Sequence, residues 1–295
     1  MTLPRQTLSY LRNLLAERGI EPKNKLGQNF LIDLNLLDLI IRTAELTRDD
    51  LVLEVGSGTG TLTGRLADAA GAVVSVEIDP AFHVLTRELL SGRANVRLLQ
   101  GDVLKSKNEI NPEVIAALDA AADEFHLKRR KLVANLPYVI ATPLIGNALI
   151  ANLEVASMVV MVQWEIAERL TAAVGSHEYS SLAILVQSVA DVEIIRRLPP
   201  AVFWPRPKVD SAIVKIVPNQ AKRAKVGDVQ KFRIFLRDLY SHRRKNLRGA
   251  LSGWPSGRRE KPEVDRKLAE LGLDGSIRAE ELDIEQHLRL CAAFG

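Results

Sequence analysis

The feature that most constrains this chain is a glycine-rich turn between a short apolar run and a helical pattern. Residues 51–55 read as a buried strand, Gly56-Ser57-Gly58-Thr59-Gly60 follows, and 61–70 has helical periodicity. Such a unit buries its apolar face only within a larger sheet. The alternation continues. Residues 72–76 form a strand pattern ending on Glu77, 81–91 a helix, 96–99 a strand ending near Asp102, and 112–124 an alanine-rich helix. Residues 131–134 run as a strand into Asn135-Leu136-Pro137-Tyr138, 143–152 are helical, and 156–162 form a strand. This order predicts an α/β fold: a mainly parallel sheet with helices on both faces. Ahead of it, 6–18 and 33–46 have helical spacing, with Asp33 as N-cap of the second.

The pattern then changes. Residues 192–198 and 211–217 are strand-like and flank a proline-rich stretch, 199–207, that reads as a rigid loop. Pro218-Asn219 marks a boundary, and 228–295 looks all-helical. The expected organisation is one domain over 1–218, with 1–22 as an N-terminal helical extension, and a small helical domain over 219–295. Charge follows the same division. Residues 1–218 hold 23 basic and 25 acidic side chains, 219–262 hold 13 and 3, and 263–295 hold 4 and 8. A near-neutral body with one strongly basic segment suits a polyanion-binding surface; solvated basic helix faces are the plainer alternative.

Composition excludes several classes. With 47% hydrophobic and 26% charged residues the chain is not a disordered one. Its apolar runs fall well short of the ~20 residues of a membrane span. Arg5, Arg12, Glu17 and Arg18 break any secretory leader pattern. Cys291 is the single cysteine, so no internal disulfide or multi-cysteine zinc site is possible. His83, His126, His177, His242 and His287 are scattered singly, and no metal is expected. A bacterial-type cytosol or another reducing compartment fits; the expected protein is a cytoplasmic monomer.

Four motifs carry chemistry. In the loop after the first strand, Gly56 and Gly58 let the backbone turn and let a ligand approach closely. A dinucleotide fingerprint needs G-x-G-x-x-G, but here Thr61 stands where its third glycine belongs. The G-x-G-x-G spacing suits a nucleoside without a pyrophosphate, such as S-adenosylmethionine. Glu77, about 20 residues on, can accept from ribose hydroxyls. Asp102 can accept from an adenine amine or, more plainly, cap a helix. Asn135-Leu136-Pro137-Tyr138 decides the reaction. The adenine N6 lone pair is delocalised into its ring, so a catalyst must hold the nitrogen in line and accept its hydrogens as it pyramidalises. The Asn135 oxygen and the Leu136 carbonyl are two acceptors, Pro137 fixes the backbone between them, and Tyr138 can stack on the base.

With these motifs in order, the chain resembles the ribosomal RNA adenine N6-dimethyltransferases, most closely the small-subunit (16S) branch of that rRNA adenine dimethylase family. The resemblance includes Lys25-Leu26-Gly27-Gln28-Asn29-Phe30-Leu31, the Gly56 loop, Val76-Glu77-Ile78-Asp79, Gly101-Asp102 and Asn135-Leu136-Pro137-Tyr138. It continues through Val202-Phe203-Trp204-Pro205-Arg206-Pro207-Lys208-Val209-Asp210-Ser211 and Arg243-Arg244-Lys245-Asn246-Leu247-Arg248. It implies a Rossmann-like class I methyltransferase domain followed by a helical RNA-binding domain. It implies that Gln28, Asn29, Leu31, Gly56, Gly58, Glu77, Asp102 and Asn135 contact S-adenosylmethionine, with Gln28, Asn29 and Phe30 in a lid. Phe203 would face Tyr138 across the target base, or else plug the core beneath the proline-rich loop. Arg206, Lys208, Arg243, Arg244, Lys245 and Arg248 would bind RNA. The implied reaction is dimethylation of two adjacent adenosines near the 3′ end of 16S rRNA, on the immature small subunit.

Val139, Ala141 and Ser57 depart from the family's usual residues, and 105–130 is long, ending on the basic run Lys128-Arg129-Arg130-Lys131. That insertion is an extra RNA or protein contact or, more simply, a tolerated surface helix. Two other enzyme readings are a large-subunit rRNA methylase and a DNA adenine methyltransferase. A third reading is an assembly factor of the same fold that binds without turnover. The glycine spacing disfavours a dehydrogenase.

Overall fold

The computed structural model describes residues 7–150, 153–254 and 257–295. The first residues of the extension and of the helix expected over 6–18, and the end of that expected over 143–152, lie outside them. The central sheet has seven strands: β1 Asp50–Val55, β2 Ala72–Glu77, β3 Val96–Gln100, β4 Arg129–Asn135, β5 Val155–Gln163, β6 Ala190–Leu198 and β7 Ser211–Pro218. Their order is β3-β2-β1-β4-β5-β7-β6. The first five are parallel, and β7 runs antiparallel to β5, with Ser211 opposite Gln163. β1 and β2 are buried at every residue, which explains their largely apolar character, broken by Asp50, Glu54, Ser75 and Glu77. The chain order reverses between β1 and β4, so the loops after these two strands diverge and leave a crevice at their carboxyl ends.

Thirteen α-helices lie among the described residues. Those that shape the first part are α1 Leu8–Glu17, α2 Leu34–Ala44, α3 Thr61–Ala69, α4 Pro80–Leu89, α5 Pro112–Phe125 and α6 Tyr138–Ile150. Asp33 caps α2 through Asn35 N at 2.9 Å, and Asn111 caps α5 with Pro112 at its first turn. The core beneath the sheet joins Leu37 and Ile40 of α2 and Leu66 of α3 to Val52, Val73, Val133 and Val159. A smaller cluster packs Leu11 and Leu15 of α1 on Phe82 and Leu85 of α4.

The structure adds to or departs from the sequence expectation in several places. Helix α6 begins at Tyr138 and carries Pro143 inside it. Proline forfeits one helical hydrogen bond there, but burial of Ala141, Leu144, Ile145, Ala148 and Leu149 holds the helix. The interval before β6 contains α7 Trp164–Leu170 and α8 Ser181–Gln187, neither expected. The proline-rich loop holds a short strand, Phe203–Trp204, paired antiparallel with Phe30–Leu31. The basic run at the start of β4 is largely engaged within the protein. Arg129 pairs with Asp50, Arg130 with Asp119 at 2.7 Å, and Lys131 Nζ donates to the Ala44 and Glu45 carbonyls at 2.8 Å each. That engagement favours the plain reading of the insertion.

By its contacts the chain forms two compact units, Met1–Ala167 with Glu193–Val217, and Glu168–Val192 with Pro218–Gly295. Residues 168–192, expected in the first domain, therefore belong with the helical part. That unit carries α8 and α9 Gln220–Val226, α10 Val229–Tyr240, α11 Leu247–Ser252, α12 Lys261–Glu270 and α13 Ile284–Phe294. In α13 a reciprocal capping pair, Asp283 with Gln286, satisfies the first turn.

One buried carboxylate ties β1, β2 and α3 together. Glu54 is fully buried, and Thr63 Oγ1 and Ser75 Oγ both donate to its Oε2 at 2.6 Å, while Oε1 has no partner. Burial pushes its carboxyl up to about 7, against the pull of the two hydroxyls, and the charge of Glu77 adds to the rise. Between its ordinary 4.5 and about 7, the folded chain keeps a proton that the unfolded chain releases. Stability from this group is therefore lost as pH rises through that window. Glu54→Gln removes the titration. The variant should gain on the parent by more than about 1 kcal/mol across the window in denaturant unfolding; a pH-independent difference contradicts the assignment.

Candidate active site

The cleft at the carboxyl ends of the parallel strands is built almost wholly from loops that the sequence pattern marked. After β1 the chain turns through Gly56, Gly58 and Gly60 with φ of +84°, +52° and +71°. Side chains rarely adopt such values, which accounts for the glycine spacing. Gly58 also faces a close neighbour: a Cβ there would stand 2.9 Å from the Phe30 ring. The turn presents the Gly58 N–H to Glu77 Oε2 at 2.9 Å, while Thr86 Oγ1 donates to the Gly58 carbonyl at 2.7 Å.

Glu77 closes β2 and is buried, and its Oε1 accepts the Asp79 N–H at 2.9 Å. Burial raises its carboxyl, opposed by the Asp79 and Gly58 amides and assisted by the Asp79 charge. A carboxylate has about four acceptor sites, so the two amides leave capacity for hydroxyl donors. Asp102, after β3, caps a tight turn through Leu104 N at 2.9 Å rather than a helix. Both acidic residues line the cleft, as do Ile78 and Val103, the apolar residues that follow each of them. Sequence reasoning missed these two; their position one residue after each acidic group was the available signal.

Asn135 ends β4. Its Nδ2 donates to the Asn29 carbonyl at 2.8 Å, so the amide nitrogen is taken and Oδ1 is the end left to accept. The same bond ties the segment before α2 to the strand end. Gln28, Asn29, Leu31, Gly56, Gly58, Glu77, Asp102, Asn135 and Pro137 all line the cleft. Gln28 does so with both polar ends engaged, Oε1 by Lys23 N at 2.6 Å and Nε2 by Asp79 at 2.9 Å.

Leu136, Tyr138 and Phe203 lend no side chain to the cleft lining, although the role expected of Leu136 belongs to its carbonyl. The Leu136 side chain is buried, and its N–H donates to the Met161 carbonyl at 3.2 Å. Tyr138 is half-buried outside the lining, its hydroxyl 2.6 Å from Ser211 Oγ. Phe203 is only 3% exposed and packs in the core with Leu198 and Ile213. In this structure it is the plug, and the expected Tyr138–Phe203 clamp is corrected: pairing of Phe203 with Leu31 turns the ring into the core. Exposed Val139 and Ile140 line the cleft instead.

The expected RNA-binding residues divide likewise. Arg206, Lys208, Arg244 and Lys245 are exposed. Arg243, by contrast, donates to Glu280 at 2.7 Å and to the His177 and Tyr179 carbonyls, and Arg248 forks onto Asp265 with two 2.6 Å bonds. Both arginines are thus engaged by partners within the helical unit.

The donor set defines the ligand. The described lining holds two carboxylates, the amides of Gln28, Asn29 and Asn135, the hydroxyl residues Ser57, Thr59 and Thr61 and apolar walls, and no lysine or arginine. The Gly58 amide, which a pyrophosphate would need, is already given to Glu77. Such a cleft suits a cationic nucleoside rich in hydrogen-bond donors, which S-adenosylmethionine is. Among the described residues no group of three or more His, Cys, Asp or Glu is placed to hold a metal, and no helix is long and apolar enough to cross a membrane.

Comparison with known proteins agrees. The family model for ribosomal RNA adenine dimethylases matches residues 20–293. Ribosomal RNA small subunit methyltransferase A of Pelotomaculum thermopropionicum is 38% identical, over 96% of this chain and 95% of its own length. A crystal structure of a dimethyladenosine transferase from Plasmodium falciparum superposes with a TM-score of 0.71 at 28% identity, covering 88% of this chain and 94% of that one. The 23S rRNA methyltransferase ErmE gives 0.62 at 27%, covering 90% and 99%. The glycine turn, its two carboxylates and the Asn135 strand end thus lie in a chain that belongs to the ribosomal RNA adenine dimethylase family.

Proposed function

We propose that the chain transfers methyl groups from S-adenosylmethionine to N6 of two adjacent adenosines near the 3′ end of 16S rRNA. It would act as a monomer on assembling small subunits in the cytoplasm. The observation that carries this reading is the Asn135 amide, tied by its nitrogen to Asn29 so that its oxygen is the free acceptor at the cleft. Glu77 would hold the ribose hydroxyls and Asp102 the adenine amine of the cofactor, with Ile78 and Val103 against the ring. When bound, the cofactor supplies an electrophilic methyl on a sulfonium. Asn135 Oδ1 and the Leu136 carbonyl accept the two N6 hydrogens, which draws the nitrogen lone pair out of conjugation and aims it along the C–S axis. As the N–C bond forms the C–S bond breaks, and the ammonium formed is acidic enough to lose its proton to water, so no strong base is required.

The test is incubation with methyl-labelled S-adenosylmethionine and undermethylated small subunits. Label in adenine of the small-subunit RNA supports the reading. Label confined to large-subunit RNA or duplex DNA, or none, rejects it. Asn135→Ala should lower turnover by at least 100-fold, the scale of a lost transition-state acceptor, while cofactor affinity drops far less. Equal losses in both overturn the role of Asn135.

The same reading places phosphate contacts at Arg244 and Lys245, since Arg243 and Arg248 are spent on Glu280 and Asp265. Changing Arg244 and Lys245 together to alanine should reduce the salt slope of RNA binding by about 1 per lost contact, with the melting midpoint unmoved. Arg243→Ala should instead lower the midpoint, because Glu280 loses its partner. An unaltered salt slope in the double variant removes both residues from the interface.

A further inference from the structure

Asp79 caps α4, accepting the Ala81 N–H on Oδ1 at 3.1 Å. A cap needs one oxygen, and the other is committed elsewhere. Oδ2 accepts Gln28 Nε2 at 2.9 Å and pairs with Lys23 Nζ at 2.9 Å, across more than fifty residues of sequence. The Asp79 N–H meanwhile donates to Glu77 Oε1, and the other oxygen of Glu77 takes the Gly58 amide. Lys23 N donates to Gln28 Oε1, which closes a ring of Lys23, Gln28 and Asp79. This polar chain runs without a break from the segment ahead of α2, through Asp79 and Glu77, to the glycine turn. The segment it grips supplies Gly27, Asn29 and Leu31 to the cleft wall, and Asn29 in turn orients Asn135.

We propose that Asp79 is a positioning residue for methyl transfer: its carboxylate latches residues 23–31 over the cofactor cleft while its amide steadies the Glu77 carboxylate. The side chain is 1% exposed, so an unpartnered charge there would be costly. Burial alone would raise its carboxyl, but Lys23, Gln28 and the Ala81 amide outweigh it and hold the group below the ordinary range, hence ionised at neutral pH. Lys23, by contrast, is half exposed. One partner is fixed in the core and the other can peel into water, as a closure that must admit and release a ligand requires. Besides the latch and the Asn135–Asn29 hydrogen bond, two further features hold the segment. One is the Phe30–Leu31 pairing with Phe203–Trp204, and the other is the Phe30 ring 5.1 Å from Phe82.

The link to the cofactor rests on the function proposed above; the latch itself does not. Asp79→Ser separates the two roles of the residue. Serine caps helices as well as aspartate does but is too short to reach Lys23 and Gln28. Amide hydrogen exchange of residues 23–31 in the ligand-free protein reads the latch, and KM for S-adenosylmethionine against kcat reads its consequence. The expected result is exchange in 23–31 faster by about tenfold and KM raised by a similar factor, the scale of one lost charge-assisted hydrogen bond. Exchange in α4, the melting midpoint and kcat should stay near parental values. Lys23→Met, which removes the ion pair alone, should move the same two quantities less. Unchanged exchange in 23–31, faster exchange with unchanged KM, or a general loss of protection that includes α4 each overturn the proposal. Failure of the parent protein to bind the cofactor would reject the functional reading, while the exchange result would still decide the latch.

Discussion

The hydrogen bond from the Gly58 amide to the Glu77 carboxylate is the interaction on which the site depends. It joins the loop after β1 to the end of β2 and can form only because the backbone at Gly58 takes a positive φ. A buried carboxylate must find donors within the protein or lose its charge. Glu77 finds two, both backbone amides, and keeps acceptor capacity toward the cleft. That choice also defines what the cleft excludes. With its Gly58 amide spent and no cation on its described walls, it suits a donor-rich nucleoside better than a phosphate.

Two buried carboxylates, Glu54 and Glu77, lie beneath this loop; burial raises both, the Glu77 charge adds to the rise of Glu54 and the Asp79 charge to that of Glu77. They are satisfied differently. Glu54 has only hydroxyl donors, both on one oxygen, and is the group driven toward neutrality. Glu77 has an amide on each oxygen and lines the cleft. The pair shows how the same residue type becomes structural or functional according to which donors the fold brings to it.

Much of the first unit was legible in the sequence because its signals are local. The glycine spacing, the acidic ends of β2 and β3 and the strand running into Asn135 all sit within a few residues of what they position. The misses share a physical cause, in that they depend on partners far along the chain. Phe203 became a core plug because its strand pairs with Phe30–Leu31. Arg243 and Arg248 read as RNA contacts until Glu280 and Asp265 neutralised them from 37 and 17 residues away. Nothing near Asp79 in the sequence marks the partners of its second oxygen, Lys23 and Gln28, more than fifty residues away. Pro143 argued against the start of α6, where burial overrode a local preference. Residues 168–192 carried no pattern pointing to the helical unit they join.

A crystal structure of the protein with S-adenosylhomocysteine tests the central claim most directly. The account predicts ribose hydroxyls on Glu77, the adenine amine on Asp102 with its ring between Ile78 and Val103, and the sulfur directed toward Asn135. A ligand bound outside this cleft, or one whose ribose makes no contact with Glu77, would contradict it.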